Sequence, residues 1–164
     1  MEIVIATIAD IEELTDVEIE SKLQSFTDNE PVAIDYDSRY YRWSTYFNGQ
    51  SPASAKPQRV VYNAIIDGKM VGYIAGHLTA RYEKDAEIQS FYILKEYQRK
   101  GVGAKLLAEF LDWLHVRGAT SLCAGIDSTN PYQAFYLKYD AGYLNSHWMF
   151  WDDIEALRYK VNRG

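Results

Sequence analysis

The dipeptide Asp67-Gly68 lies between two long apolar runs and constrains the fold more than any other feature of the chain. Both positions of a two-residue hairpin turn need positive φ, which Asp and Gly adopt at low cost. The runs on either side, 58–66 and 69–78, are therefore predicted to be two antiparallel strands of one sheet. A sheet must bury at least one face, so the remaining segments must supply its cover.

A strand, a long helix and another strand follow the hairpin. Residues 86–94 are predicted to be a strand, and residues 101–117 carry an apolar stripe at helical spacing. Gly118 is suited to the left-handed conformation that ends many helices. The segment 120–126 is the next strand. Because a helix connects the strands 86–94 and 120–126, we expect them to run parallel.

The two ends of the chain follow simpler patterns. Residues 2–8 alternate as a first strand, Asp10 is suited to cap a helix that reaches about Phe26, and residues 35–47 form a second, aromatic-rich helix. Near the other end, Asn130 with Pro131 opens a helix. We expect that helix to end at Gly142, 143–151 to form one last strand, and Asp152 or Asp153 to cap a C-terminal helical turn.

Composition limits the classes of protein to which the chain can belong. With 164 residues, 48% of them hydrophobic, residues 1–164 suit one folded domain. A net charge of −6 argues against nonspecific binding to nucleic acid, which needs a basic face. No stretch is typical of a signal peptide or long enough to cross a bilayer, so we expect a protein of the cytoplasm without a membrane partner.

Cysteine and histidine usage gives no metal site. The single cysteine, Cys123, excludes an internal disulfide and is most simply a small core residue. The three histidines, His77, His115 and His147, lie on separate elements and match no metal-binding spacing. We therefore expect no metal ion.

The segment from Gln98 to Ala104 is the sharpest local motif, and it lies between a strand and a long helix. The first turn of a helix leaves N–H groups without partners, and these bind anions. We expect Gly101 and Gly103 to let a phosphate approach the backbone, and Arg99 and Lys100 to add charge nearby. An ordinary loop with two glycines is the alternative. Neither a P-loop nor a GxGxxG fingerprint occurs in the chain.

This segment and its flanks resemble the GNAT N-acetyltransferases. Their acetyl-CoA signature, [QR]-x-x-G-x-[GA], matches YILKEYQRKGVGAKLL, and NPYQAFYLKYDAGY at 130–143 resembles a second family motif. The resemblance covers residues 58–143, and it implies a cofactor segment made of Gln98, Arg99, Lys100, Gly101, Val102, Gly103 and Ala104. It also implies an α/β fold with a mixed, mainly antiparallel sheet of six or seven strands, helices on both faces and a splayed parallel pair. The family closes with a two-strand hairpin, for which 143–164 is too short.

Amine acylation needs a group that removes the ammonium proton and a group that protonates the departing thiolate. Glu87 is the base candidate, because AEI at 86–88 stands as far before Gly101 as the base-bearing strand of histone-type GNAT enzymes. Alternation places Glu87 on one face with Gln89, Phe91 and Ile93. A solvated charge at the end of a strand is the alternative reading of Glu87.

The resemblance implies further roles on either side of the thioester. Tyr136 of the Phe135-Tyr136 pair is the acid candidate, with Phe135 packing the core. Backbone groups of Phe91 and Ile93 are expected to pair with the pantetheine arm, and the N–H of Ile93 to polarise the reacting carbonyl. Asn130 is expected to cap its helix and also to contact pantetheine.

The expected reaction moves an acetyl group from acetyl-CoA to a primary amine. A small molecule such as a polyamine, an amino acid or an aminoglycoside is the first choice, with 35–47 as an acceptor wall whose aromatics serve packing equally well. A protein N-terminus or lysine is the second choice. A CoA-binding sensor without turnover and a plain interaction module are rivals, and both a monomer and a homodimer fit the sequence.

Overall fold

The structure is a computed structural model that describes residues 1–25, 34–126 and 132–164. These residues form seven strands and five α-helices. The strands are β1 (Glu2–Ile5), β2 (Ala55–Ile66), β3 (Lys69–Thr79), β4 (Ala86–Ile93), β5 (Leu122–Gly125), β6 (Gly142–Asn145) and β7 (Trp148–Trp151). The helices are α1 (Ile11–Ser25), α2 (Tyr36–Phe47), α3 (Val102–Val116), α4 (Gln133–Lys138) and α5 (Ile154–Arg163).

The described strands form one sheet of seven strands, in the order β1-β2-β3-β4-β5-β7-β6. Every neighbouring pair is antiparallel except β4 and β5, which run parallel. The predicted fold class is therefore confirmed, as are the hairpin and the parallel pair. Asp67 and Gly68 turn between β2 and β3 with φ of 51° and 76°. No helix in the described ranges is both long and apolar enough to cross a membrane.

Helices cover both faces of the sheet, and each face has its own apolar core. The apolar stripe of α3, which includes Leu106 and Phe110, packs on one face together with Ile154 and Leu157 of α5. On the other face, Leu14 of α1 and residues of α2 pack against β3. The sheet is therefore buried on both sides, and burial of its apolar side chains is the main force that holds the helices in place.

The start of the chain departs from the prediction. β1 ends at Ile5, and Thr7 begins a 3₁₀ turn whose capping box it forms with Asp10. The Thr7 N–H donates to Asp10 Oδ2 at 2.8 Å, and the Ala9 N–H donates to Thr7 Oγ1 at 3.3 Å. Asp10 is thus the reciprocal partner of the cap, and α1 follows directly from the turn.

The end of the chain departs further, because residues 143–151 are two strands. The His147 N–H donates to Asn145 Oδ1 at 2.8 Å, which closes a tight reversal between β6 and β7. Strands of four residues make the closing hairpin short enough to fit, so the expectation of a single strand was wrong. The expected helix end at Gly142 was also wrong.

Two helices end in the same way, with different residues. Gly118 after α3 has φ of 74°, as predicted, and the Ala119 N–H reaches back to the Leu114 carbonyl at 3.2 Å. After α4 the left-handed residue is Asp140, with φ of 66°. Gly142 instead begins β6, where a Cβ would lie 2.8 Å from the Phe150 ring. Asp can adopt the left-handed conformation, so the glycine was a misleading signal for the helix end.

Asp153 and Asp152 offer a matched pair of changes that test the start of α5. Asp153 caps the helix by accepting from the Ala156 N–H at 3.0 Å, so Asp153→Ala should lower the free energy of unfolding by about 1 kcal/mol. Asp152→Ala removes only an exposed ion pair with Lys84 and should cost about 0.5 kcal/mol or less. Chemical denaturation measures both, and equal losses would show that Asp153 does not cap the helix.

Candidate active site

A cavity of about 330 Å³ opens where β4 and β5 separate. Their parallel pairing covers only three residue pairs, from Ala86–Leu122 to Ile88–Ala124, while β4 continues to Ile93. The cavity walls come from β4, from α1 and α2, from the loop after α2, and from single residues of β5 and α4. They are Glu18, Lys22, Arg39, Arg42, Trp43, Tyr46, Ser51, Pro52, Ile88, Gln89, Ser90, Phe91, Tyr92, Gly125 and Tyr136.

A β-bulge in the middle of β4 sets which side chains face the cavity. Ala75 of β3 pairs with Ser90, whereas the next residue, Gly76, pairs with Ile88, so that Gln89 is an extra residue on β4. Ile88 and Phe91 consequently lie on the same face of the sheet, in the core beneath α3. The expected alternation, with Glu87 on one face with Phe91 and Ile93, was wrong because the bulge reverses it.

Glu87 lies on the opposite face, buried in a small polar cluster, and it does not line the cavity. Its Oε1 is 2.8 Å from Nε of Arg81 and 3.7 Å from Nε2 of His77. The contact with Arg81 is an ion pair rather than an aligned hydrogen bond. The cation beside the carboxylate therefore comes from the turn that follows β3.

Tyr46 connects this cluster with the cavity. Its hydroxyl donates to the Gly76 carbonyl at 2.7 Å and lies 3.4 Å from Nδ1 of His77. Burial raises the pKa of the Tyr46 phenol above its usual value, so the phenol stays neutral. Tyr46 and His77 thus lie between the cavity and Glu87, with a gap of 3.7 Å between His77 Nε2 and the carboxylate.

Tyr136 lines the cavity from α4, with 3% of its surface exposed. Its ring meets the Trp151 ring edge-on, with centroids 5.4 Å apart. Burial raises its pKa well above that of a free phenol, so the hydroxyl remains protonated and able to donate. Phe135, the other member of the pair, stacks on Phe91 at 5.6 Å and packs as expected.

The first turn of α3 is uncapped and open, as an anion site would require. Gly101 precedes the helix with φ of 83°, no side chain caps it, and the first turn holds no acidic residue. A Cβ on Gly101 would meet no atom within 4 Å, so the space beside this residue is open. Unpartnered N–H groups and the positive end of the helix dipole favour a phosphate there. This arrangement fits the diphosphate of a coenzyme A molecule.

The neighbouring residues of the segment have different surroundings. A Cβ on Gly103 would lie 3.1 Å from Ile93 Cδ1 and 3.2 Å from Phe135 Cε2, so the missing side chain permits close packing there. Arg99 and Lys100 are exposed beside the turn, whereas Val102 is buried and Ala104 half-buried. Of the two glycines, Gly101 therefore lies beside open space and Gly103 lies against packed side chains.

The backbone of Ile93 is in contact with Tyr132. The Tyr132 hydroxyl lies 3.4 Å from the Ile93 nitrogen and donates to the Ile93 carbonyl at 3.3 Å. Gln98 donates through Nε2 to the same carbonyl at 2.9 Å, so its side chain points inward and ties the segment to β4. Asn130 lies outside the described residues.

Sequence reasoning missed the charged residues of the wall formed by α1 and α2. Within 35–47 it pointed to acidic and aromatic side chains, yet Asp35 caps α2 and does not line the cavity. Arg39 and Arg42 line it instead, together with Glu18 and Lys22 of α1. Helical spacing offered a signal, since Glu18 and Lys22 are four residues apart. No group of three or more metal-binding side chains occurs among the described residues.

Comparison with known proteins agrees with this geometry. A sequence model of the acetyltransferase (GNAT) family matches residues 17–142, which is most of the chain. The chain belongs to the GNAT family. Its members are acyl-CoA-dependent N-acyltransferases, and acetyl-CoA is the acyl donor of the family.

Individual relatives are more distant. The uncharacterized N-acetyltransferase YuaI of Bacillus subtilis (strain 168) is 32% identical over 91 residues, which cover 48% of this chain and 53% of that protein. The match thus spans about half the length of this curated relative. Two solved structures share the fold at lower identity.

The first is the PaiA N-acetyltransferase of Thermoplasma acidophilum in complex with coenzyme A, with a TM-score of 0.69 and 21% identity. The alignment covers 92% of this GNAT chain and 98% of that one. The second is aminoglycoside 6'-acetyltransferase type Ii, with a TM-score of 0.67, 17% identity, and coverage of 94% and 97%.

Gly101 offers a test of the anion site in which only charge differs between two variants. Both Gly101→Asn and Gly101→Asp place a short side chain in the open space, and both residues adopt positive φ more readily than most. Asp adds a negative charge where the diphosphate is expected. Titration calorimetry should give at least about tenfold weaker coenzyme A binding for Asp than for Asn. Equal affinities in two folded variants would show that the diphosphate does not bind at this helix end.

Proposed function

We propose that this GNAT protein transfers the acetyl group of acetyl-CoA to the primary amine of a small molecule by direct attack. The observation that carries the proposal is the cavity at the separation of β4 and β5, with the Tyr136 phenol in its wall. A volume of about 330 Å³ lies at the small end of the range typical of small-molecule sites. The neighbours in fold include two proteins that are named for aminoglycosides, which are small-molecule amines.

Acetyl-CoA would supply the activated acetyl group as a thioester. In this chain the N–H groups at the start of α3 would hold its diphosphate, with Arg99 and Lys100 beside them. Phe91 and Ile93 would offer backbone groups to the pantetheine arm. The contacts of Ile93 with Tyr132 are 3.3–3.4 Å long, which marks them as weak bonds that a better-aligned partner can replace.

The Tyr136 hydroxyl is proposed to protonate the departing sulfur. A general acid must hold its proton until the transition state, and burial keeps this phenol neutral at all working pH values. The ring is fixed by Trp151 and Phe135, so little conformational freedom has to be lost when the donor acts.

Glu87 is proposed to receive the proton of the attacking ammonium indirectly. The carboxylate does not line the cavity, so a direct transfer lacks a path. A cavity water would take the ammonium proton and pass one of its own to the Tyr46 hydroxyl, which would turn from the Gly76 carbonyl and donate its proton to Nδ1 of His77. Nε2 of His77 would release its proton to the Glu87 carboxylate as their 3.7 Å separation shortens. Arg81 Nε lies 2.8 Å from Glu87 Oε1, so the buried carboxylate has a cation beside it.

The reaction is tested by the release of coenzyme A thiol with a panel of amines. Burial raises the pKa of the single cysteine, Cys123, to about 12, and the negative charge of Glu87 adds to this effect. The protein therefore contributes little to a thiol assay, and the signal reports coenzyme A. Binding of acetyl-CoA without release with any amine would favour a sensor.

Tyr136→Phe keeps the ring and removes only the donor. The turnover number should fall by about tenfold to a hundredfold, with KM for acetyl-CoA nearly unchanged, because the lost interaction belongs to the transition state. Tyr139→Phe, on the next turn and outside the cavity wall, is the matched control and should retain the parent turnover number. An unchanged turnover number in Tyr136→Phe, with chemistry limiting the rate, would exclude the acid role.

Glu87→Gln and Arg81→Gln break the same ion pair from opposite sides. If Glu87 accepts the proton, Glu87→Gln abolishes the rise of rate with pH that depends on the carboxylate. Arg81→Gln keeps the carboxylate and removes only its cation, so this variant should retain a rise of rate with pH. Rate profiles between pH 5 and 10 measure both. A uniform loss in both variants, with no change in profile, would assign the pair a structural role.

A further inference from the structure

The wall of the cavity formed by α1 and α2 carries more positive than negative charge. Lys22, Arg39 and Arg42 line it, and Glu18 is the one carboxylate in the described lining. The chain as a whole has a net charge of −6, so this local excess of cations runs against the overall balance. A charged cavity wall selects the sign of the ligand that it concentrates.

Glu18 is fully engaged by the protein and is not available to a ligand. Its Oε1 accepts from the Trp43 Nε1–H at 3.1 Å, and its Oε2 lies 3.0 Å from Lys22 Nζ and 3.6 Å from Arg39 Nη1. The carboxylate is buried, and its contacts use both oxygens. It therefore orders the two cations and cannot also hold the ammonium of a polyamine.

The cations remain close enough to one another to act together. Burial lowers the pKa of Lys22, Glu18 raises it, and the charges of Arg39 and Arg42 lower it further. Arg42 is exposed and forms no ion pair with any described residue. An exposed guanidinium at the mouth of a cavity is the geometry that receives a carboxylate or phosphate with two parallel hydrogen bonds.

We infer that the acceptor amine belongs to a small molecule that also carries a carboxylate or phosphate group, which Arg39 and Arg42 bind. This inference rests on the proposed function and names the substrate class of that site. The amine faces the middle of β4 and Tyr136, at the other side of the same cavity. Polycationic amines are repelled by the same wall, although a polyamine or an aminoglycoside was an equal expectation from sequence.

The test compares amines that differ in charge. Leucine carries a carboxylate, whereas leucinamide and 3-methylbutylamine have the same side chain and lack the carboxylate. Phosphoethanolamine carries a phosphate that ethanolamine lacks. Spermidine is a polycation. Because these amines differ in intrinsic reactivity, the informative quantity is the change in kcat/KM that a variant causes for each amine.

Arg42→Gln should lower kcat/KM for whichever anionic amine is used by about tenfold or more, mainly through KM, since a charge-assisted contact made in the ground state is lost. For the amines that lack the carboxylate or phosphate, kcat/KM should change by less than about twofold. Arg163→Gln removes the same charge from α5, which packs on the opposite face of the sheet. This variant should leave kcat/KM unchanged for both kinds of amine. Arg42→Glu should lower kcat/KM for the anionic amines further and raise kcat/KM for spermidine.

Two results would overturn the inference while the proposed function stands. One is a preference of the parent protein for spermidine over both anionic amines. The other is an equal effect of Arg42→Gln on amines that carry the carboxylate or phosphate and on amines that lack it. Absence of coenzyme A release with every amine would count against the proposed function instead. In that case titration calorimetry of leucine and phosphoethanolamine into the coenzyme A complex decides the inference. The inference is supported if either compound binds and Arg42→Gln weakens that binding. It is overturned if neither compound binds.

Discussion

The extra residue at Gln89 is the constraint on which the rest of the site depends. A regular β4 would place Ile88 and Phe91 on opposite faces, whereas the bulge keeps both in the core beneath α3. It also sends Glu87 to the other face, and the parallel pairing of β4 with β5 ends at the residue before the bulge. The separation of the two strands and the cavity between them follow from this change of direction in one strand.

The parts of the fold that the sequence predicts are those with local physical causes. Asp67-Gly68 specifies its turn through positive φ, and the stripe of α3 followed by Gly118 specifies a helix and its end. The bulge has no such local cause, because Gln89 becomes the extra residue only through its pairing with β3. The β6–β7 reversal depends on the Asn145 side chain, which accepts from the His147 N–H. Because Asn145 is itself a strand residue, the sequence did not mark the reversal, and a single strand was the simpler interpretation.

The site shows the same division. The open helix end at Gly101 was predictable, because glycine and a following helix define it within a few residues. The burial of Glu87 against Arg81 was not, since the two meet through strand pairing and a turn. Likewise, Arg39 and Arg42 could be assigned to one helix, but only the packing of α2 beside α1 brings them to the cavity that β4 opens.

Glu18 and Glu87 are both buried carboxylates, and each is held by cations, so neither leaves an isolated charge in the core. Their surroundings differ in one respect. Glu18 is saturated by contacts and fixes a cationic wall, whereas Glu87 meets its cation through a poorly aligned contact and stands next to the ring of His77. An incompletely bonded carboxylate can still accept a proton, which makes Glu87 the better candidate for proton transfer and Glu18 the better candidate for shaping what binds.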